Sequence, residues 1–254
     1  MNNFKVRLVI GVVIALIAVI SYFMKTDENP VTGEKQKVSL TVDQEIALGL
    51  QSAPEMIQEF GGEYRDQKLR AYVDRVGEKL VEQTEAGRSP YKFDFHLLAD
   101  EKTVNAFALP GGQIFITYAL LKRLKNEDQL AGVLGHEIGH VINRHSAEHI
   151  AKQELTQGLI HATDIATGDA GMVSRFVGSM INMKYGREDE LESDVYGVKY
   201  MFESGYRPET MIDVMRILQD ASGGGKQPEF MSTHPSPENR IQKLKEIIAK
   251  YKDK

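Results

Sequence analysis

The chain has 254 residues, of which 42% are hydrophobic and 26% are charged, a composition that suits a globular protein with one sizeable core. Its net charge of −5 argues against a nucleic-acid partner, because such a partner requires a basic face. The absence of cysteine excludes thiolate metal ligands, a cysteine nucleophile and disulfide bonds.

The amino terminus carries a long apolar run. Lys5 and Arg7 precede an uncharged stretch, LVIGVVIALIAVISYFM, that extends from Leu8 to Met24. A helix of this length can just span a bilayer, and the preceding positive charges predict that residues 1–7 stay in the cytoplasm. A cleaved signal peptide and a buried core helix are the alternatives, although no A-x-A cleavage site is present. With an anchor or a signal peptide at residues 1–25, the rest of the chain lies in the cell envelope, inner-membrane anchored and periplasmic, or secreted.

The segments that follow alternate between helical and strand patterns. Residues 26–40 are polar and contain proline and glycine, which predicts a linker. Strands are predicted for YKFDFHLL and for the two apolar runs joined by the turn Pro110-Gly111-Gly112. Apolar residues at helical spacing predict helices at 41–60, 65–83, 126 to beyond 149, 187–204, 208–220 and 237–252. The predicted fold class is α+β, mostly helical with one small antiparallel sheet.

Residues 135–140 read GHEIGH and form a candidate metal site. On a helix, positions four apart project from the same face, so His136 and His140 can present two imidazoles to one metal. Glu137 lies about 100° round the helix from His136, close enough to reach a metal-bound water. Two neutral nitrogen ligands with a nearby carboxylate base are what a zinc hydrolase needs, provided that a third ligand exists.

The acidic segment GREDELESD offers that third ligand. Glu190 and Asp194 are four residues apart and share a helix face. Glu190 can complete a two-histidine, one-glutamate site, while Asp194 can accept the free N–H of a ligand histidine and fix its tautomer. The alternative is a solvated acidic start of a helix, since acidic side chains favour a helix amino terminus.

A rival zinc motif overlaps GHEIGH. His145 to His149 reads HSAEH, which matches the inverted H-x-x-E-H pattern. If one helix continues through this region, His145 is about 900° beyond His136 and faces the opposite side, so we expect this polar pair to be exposed. The metzincin extension fails as well, because it requires glycine at 143 and histidine at 146, where this chain has Asn143 and Ser146.

His234, in MSTHPSPENRI, is a further candidate because Pro235 and Pro237 place it in a turn-like setting. It can act as a fourth zinc ligand at rest or as a donor to the developing oxyanion. The remaining interpretation is a turn histidine that caps the last helix.

Four motifs in this order resemble one known family. NAFALPGGQIFIT, GHEIGHVINRH, the R-x-x-E-x-E-S-D of Arg187–Asp194, and THPSPENRI are similar to those of the HtpX, type I CAAX prenyl protease and BepA–LoiP-like family of HExxH zinc metallopeptidases. The resemblance covers roughly residues 40–252 and implies a metallopeptidase domain at 41–254. With one anchor and no appended repeat domain, the chain is most similar to single-anchor LoiP-like and mitochondrial stress-protease-like members. Ser193 departs from the alanine that is usual there.

The resemblance also implies roles for individual residues of this sequence. It implies one zinc ion per chain, general-base catalysis by Glu137, and a site role for His234. The implied zinc ligands are His136, His140 and Glu190, with Asp194 supporting a ligand histidine. It also implies that the strand after Pro110-Gly111-Gly112 borders the cleft, so that an extended substrate pairs with an edge strand near Gln113–Thr117. The predicted substrate-binding residues are Asn105, Gly112, Gln113 and Phe115.

The function that follows is a zinc endopeptidase of the cell envelope acting on unfolded, damaged or misassembled polypeptides. The alternative from another class is a chaperone or assembly factor that retains the zinc site but cleaves rarely. Glu137 argues against this alternative, because a binding protein has no need of a base beside its metal. A purely structural zinc site is disfavoured too, because three protein ligands leave a coordination position open.

Overall fold

The computed structural model describes residues 3–167, 185–221, 229–234 and 239–252. The described helices, in chain order, are α1 (Asn3–Met24), α2 (Val42–Glu59), α3 (Gln67–Glu82), α4 (Tyr118–Leu121), α5 (Glu127–Ile142), α6 (His145–Thr167), α7 (Arg187–Glu203), α8 (Thr210–Ala221), α9 (Glu229–Thr233) and α10 (Arg240–Lys252). The described strands are β1 (Asp27–Glu28), β2 (Lys35–Gln36), β3 (Asp94–Leu98), β4 (Ala106–Ala108) and β5 (Gln113–Thr117). The α+β class is confirmed.

The chain divides into two compact units. The first comprises residues 1–29, 33–41 and 146–183. Within it, β1 pairs antiparallel with β2, and Lys25 Nζ lies 2.6 Å from Glu154 Oε2. Helix α1 is long and apolar enough to cross a membrane, and most of its apolar side chains from Leu8 to Met24 are exposed. A signal sequence would show the same features, so both interpretations of the amino terminus remain predictions.

The second unit comprises residues 30–32, 42–145 and 184–254 and contains every predicted site residue. Its main hydrophobic core gathers apolar side chains from α3, α5, α7, α8 and the three-stranded sheet. Helix α5 is almost fully enclosed, since every residue from Gln129 to Ile142 is buried. A helix enclosed on all sides must satisfy each of its polar side chains internally, and the histidines and glutamate of GHEIGH lie on this helix.

The sheet has the strand order β3-β5-β4. Strand β5 runs antiparallel to β4 but parallel to β3. The sheet is therefore mixed, whereas the sequence predicted an antiparallel sheet.

The turn at Pro110-Gly111-Gly112 is confirmed, with Gly111 at φ 81° and Gly112 at φ 115°, values that favour glycine. The prediction that Gln113–Thr117 forms an edge strand is wrong, because partners flank β5 on both sides and all five of its residues are buried. The edge strand on the hairpin side is β4.

The predicted helix from 126 to beyond 149 is interrupted. Helix α5 ends at Ile142, where Asn143 N donates to Gly139 O over 3.0 Å, and Arg144 adopts a left-handed conformation at φ 56°. This one residue redirects the chain before α6 begins at His145. No glycine or proline marks the break in the sequence, which explains why sequence patterns alone predicted a single helix.

A buried ion pair holds Arg144 in place. Its Nε and Nη2 atoms donate to Glu45 Oε1 of α2 over 2.9 and 2.6 Å, and both side chains are almost fully buried. Since a non-glycine residue at positive φ is strained, this ion pair stabilises the break between α5 and α6.

We therefore expect Glu45→Gln to lower the free energy of unfolding by about 3–5 kcal/mol, because it removes the carboxylate that neutralises a buried guanidinium. Denaturant unfolding of the metal-free chain, followed by circular dichroism, measures this. The control is Asp213→Asn, which breaks the exposed pair of Asp213 with Arg216 and should cost less than about 1 kcal/mol. A Glu45→Gln protein as stable as the control variant would contradict the assignment.

Candidate metal centre

Helix α5 places three of the predicted site residues together. Asn126 caps the helix by accepting a hydrogen bond from Gln129 N over 3.0 Å, and the helix then runs through GHEIGH without a break. His136 Nε2 and His140 Nε2 lie 3.1 Å apart and are buried, as the one-turn spacing predicts.

Helix α7 brings the carboxylates to these histidines. Gly135 and Gly139 of α5 face Gly197 and Ser193 of α7, and a side chain at Gly139 would come within 3.0 Å of Ser193 Cα. The two backbones can approach this closely because α5 has glycine at both positions. As a result, Glu190 is fully buried beside the imidazoles.

The distances fit a metal-binding site. Glu190 Oε2 lies 3.5 Å from His136 Nε2, and Glu190 Oε1 lies 3.5 Å from His140 Nε2. Ligands about 2.0–2.1 Å from one metal in a tetrahedral shell stand about 3.3 Å from one another. These two separations and the 3.1 Å between the histidine Nε2 atoms are close to that value. Including His234, one ligand atom from each of the four residues lies within 4.8 Å of the others. This cluster fits a single metal ion with nitrogen and oxygen ligands.

His234 joins the cluster from the end of α9. Its backbone N donates to Phe230 O over 2.7 Å, and its ring stacks on the Phe230 ring with centroids 4.4 Å apart. His234 Nδ1 lies 2.9 Å from Glu190 Oε1 and Nε2 lies 3.7 Å from Glu137 Oε1. The structure thus places His234 at the site, while its role as ligand or oxyanion donor stays a prediction. The flanking residues Pro235 and Pro237 lie outside the described part of the chain.

Asp194 contacts one histidine of the cluster, as its spacing from Glu190 predicts. Its Oδ1 atom lies 3.1 Å from His136 Nδ1, which leaves Nε2 of that ring directed at the cluster. Burial alone would raise the pKa of Asp194, but the nearby guanidinium of Arg240 outweighs burial and lowers it. Asp194 is therefore ionised and holds the imidazole by a charge-assisted hydrogen bond.

Arg240 is a site residue that the sequence analysis missed. It lies at the first position of α10, is 2% exposed, and donates from Nε and Nη2 to Asp194 over 2.8 Å each. Its Nη1 atom is 2.9 Å from Glu190 Oε2, so one guanidinium contacts both carboxylates of α7. Its position in the THPSPENRI motif, near the start of a predicted helix, is the sequence feature that could have indicated a role at the site.

Burial and neighbouring charged groups shift the pKa values of the histidines and the glutamate in the cluster. Burial lowers the pKa of His136, but its hydrogen bonds with Asp194 and Glu190 outweigh burial and raise it to about 9. Burial holds the pKa of His140 well below its usual value. Burial would raise the pKa of Glu190, yet His234 and the other imidazoles bring it well below the usual range. A metal ligand needs the lone pair of Nε2, so metal binding opposes protonation of His136.

Glu137 differs from the other carboxylates because both of its oxygens are buried without a hydrogen-bond partner among the described residues. His234 Nε2 is also buried without a partner in that set. Burial raises the pKa of Glu137. Buried polar atoms are rarely left unpaired, so this pair of side chains faces a position that suits a water molecule or a polar substrate atom.

The predicted exposure of His145 is wrong. The break at Arg144 turns His145 back towards α5, where it is 1% exposed and its Nδ1 atom lies 2.9 Å from His140 Nδ1. His149 is half-buried. Within the described residues, the candidate metal cluster includes neither of them, so the inverted motif forms no zinc site there.

The predicted substrate-binding residues have different environments. Gln113 Oε1 accepts from His96 Nε2 over 3.0 Å, and Phe115 stacks on His96. Gly112 occupies the hairpin turn, where an added side chain would meet Lys92 O at 2.7 Å. These contacts give the three residues internal structural roles.

Asn105 is the predicted substrate residue that lies beside the edge strand. Its backbone N donates to Thr117 Oγ1 over 3.1 Å, and its buried Oδ1 has no hydrogen-bond partner in the described part of the chain. The preceding residue, Val104, accepts a hydrogen bond from Phe230 N over 3.1 Å and so connects the start of β4 to α9. A substrate-binding role for Asn105 stays a prediction.

Comparison with known proteins identifies the family. The chain is 30% identical over 233 residues to the mitochondrial metalloendopeptidase OMA1 of Schizosaccharomyces pombe, covering 89% of this chain and 68% of that protein. It is 30% identical over 224 residues to the beta-barrel assembly-enhancing protease of Yersinia pestis and 28% identical over 234 residues to that of Escherichia coli K12. The matches span 45% and 46% of the lengths of these two relatives. The profile of Peptidase family M48 matches residues 67–248, and the chain belongs to this family of metallopeptidases.

Proposed function

We propose that this protein is a zinc-dependent endopeptidase of the cell envelope that hydrolyses peptide bonds in unfolded, damaged or misassembled proteins. The observation that carries the proposal is the buried carboxylate of Glu137, which has no hydrogen-bond partner among the described residues and lies beside the donor set of His136, His140 and Glu190. The relatives are named as a metalloendopeptidase and as beta-barrel assembly-enhancing proteases, which supports a proteolytic role in protein quality control.

The donor atoms favour zinc. Two imidazole nitrogens and one carboxylate suit Zn²⁺, whereas calcium and magnesium prefer shells made of oxygen alone. Three protein ligands with one open position are typical of catalytic zinc sites. His234 is the candidate for a resting fourth ligand, because its ring already contacts Glu190.

When bound, zinc lowers the pKa of its water and polarises the scissile carbonyl. Glu137 accepts the proton of the attacking water and passes it to the leaving amine. Its burial raises its pKa, which makes it a better proton acceptor than a solvated glutamate. The contacts of Asp194 and Arg240 hold the His136 ring in the orientation that binding requires.

The outer edge of β4 is the part of the sheet that suits an extended peptide, and its residues Ala106 and Ala108 are buried. Phe107 of β4 is paired with Phe115 of β5. Asn105 and Leu109, two residues before and after Phe107, also form backbone hydrogen bonds with β5. Alternation along the strand therefore directs the backbone N–H and C=O groups of Ala106 and Ala108 away from β5. A substrate added at this edge would pair with these two residues, and such pairing reads little side-chain identity.

The amino-terminal helix α1 supports a location at the membrane. We propose that α1 anchors the chain with residues 1–7 in the cytoplasm, residues 26–40 as a linker, and the metallopeptidase domain of residues 41–254 on the extracytoplasmic side. If residues 1–25 are instead cleaved as a signal peptide, the same domain is periplasmic or secreted.

Glu137→Gln tests the mechanism, because it removes the base and keeps the side-chain volume. We expect the variant to bind one zinc per chain while its rate of casein cleavage falls by at least about 10²–10⁴-fold, the usual contribution of a general base. Zinc content and cleavage are measured on the same full-length preparations. Cleavage at the wild-type rate would refute the assigned role of Glu137.

Glu190→Gln tests the third ligand. Replacing the carboxylate with a neutral amide should lower zinc affinity by at least about 100-fold, measured by chelator competition, because an anionic ligand is lost. Glu188→Gln is the matched control, since Glu188 is exposed on the same turn of α7, and its affinity should equal that of wild type. Equal zinc affinity in the two variants would mean that Glu190 is not a ligand.

His234→Phe tests the role of His234 in turnover. The phenyl ring can keep the stacking on Phe230 but offers no nitrogen to zinc or to the oxyanion. We expect kcat on a peptide substrate to fall by about 10²-fold with most of the zinc retained. Unchanged kcat together with unchanged zinc binding would leave His234 as a turn histidine only.

A further inference from the structure

A hydrogen-bond chain leads from the buried ligand His140 to the protein surface. His140 Nδ1 lies 2.9 Å from His145 Nδ1, and His145 Nε2 lies 3.0 Å from Glu192 Oε2. His140 and His145 are buried, whereas the Glu192 side chain is 38% exposed. Helical periodicity predicted none of these contacts, because in a continuous helix His145 would lie on the face opposite His136.

The carboxylate of Glu192 determines the order of donors and acceptors along this chain, because it can only accept. A neutral His145 ring therefore carries its proton on Nε2, donates it to Glu192 and presents the lone pair of Nδ1 as an acceptor. His140 Nδ1–H then donates to His145 Nδ1, which leaves the lone pair of His140 Nε2 for a metal.

We propose that His145 is a positioning residue for the metal: with Glu192 it fixes the tautomer and ring orientation of His140. Asp194 does the same for His136, so each ligand histidine has its own outer partner on the Nδ1 side. This inference rests on the proposed metal site.

The local backbone supports this role. His145 follows directly after Arg144, whose left-handed conformation turns the chain back towards α5, and the Glu45 ion pair holds that turn. Ser193 Oγ lies 3.4 Å from His145 Nδ1, too far to replace the 2.9 Å contact with His140. Both Glu192 and Ser193 follow Glu190 on α7, so the same helix supplies a ligand and the end of the chain of hydrogen bonds.

The first test measures the Zn²⁺ affinity of the metal-free, full-length chain by chelator competition. His145→Phe keeps an aromatic ring but removes the acceptor, and we expect a loss of about 10–100-fold in affinity. His145→Asn places a carboxamide oxygen near the position of Nδ1, so it should restore most of that loss. His149→Phe, one turn further along α6, is the matched control and should bind zinc as wild type does.

The second test needs no metal and no activity. Long-range ¹H–¹⁵N NMR spectra of the metal-free protein report which ring nitrogen of His140 carries the proton. We expect the Nδ1–H form in wild type and in His145→Asn, and a mixture of tautomers in His145→Phe. A purely structural role for His145 would leave the His140 signals unchanged in all three proteins.

The outcomes separate this inference from the proposed function. Failure of the wild-type chain to bind zinc overturns both. One zinc per wild-type chain, with equal affinity in His145→Phe, overturns the role of His145 alone. If His145→Phe does not fold, Glu192→Ala decides, because its partly exposed side chain can be removed without opening the core; unchanged zinc affinity in that variant overturns the proposal.

Discussion

The close approach of α5 and α7 is the constraint on which the site depends. Gly135 and Gly139 leave room for the backbone of α7, and any larger side chain at Gly139 would press on Ser193. Only at this separation can Glu190, on one helix, reach both imidazoles of the other at 3.5 Å. The glycines of GHEIGH therefore help to bring the cluster together, although they provide no ligand atom.

Burial of so many charged groups requires compensation. Two carboxylates of α7 lie in the core beside His136, and Arg240 from α10 contacts both of them. Burial of an unpaired carboxylate is costly, and the guanidinium offsets part of that cost with a planar, two-nitrogen contact to Asp194. A divalent cation bound by Glu190 would balance further negative charge in the cluster.

The sequence predicted the parts of the site that local spacing determines. His136, His140, Glu190 and Asp194 lie one turn apart in pairs on helices, and the structure places them as that spacing requires. Other features depend on long-range geometry that periodicity does not contain: the left-handed Arg144 that redirects the chain towards His140, and the parallel pairing of β3 that makes β5 central instead of an edge.

The role of Arg240 could not be predicted from local spacing either, because Arg240 is 46 residues beyond its partner Asp194 and only folding brings the two together.

We propose that this arrangement of helices holds one zinc ion through imidazole and carboxylate ligands. Zinc K-edge X-ray absorption of the full-length chain, loaded with one equivalent of Zn²⁺, tests this most directly. We predict a four-coordinate shell of nitrogen and oxygen at about 2.0–2.1 Å, with the outer-shell scattering that at least two imidazole rings produce. A six-coordinate shell of oxygen alone, without imidazole scattering, would contradict the proposed zinc site.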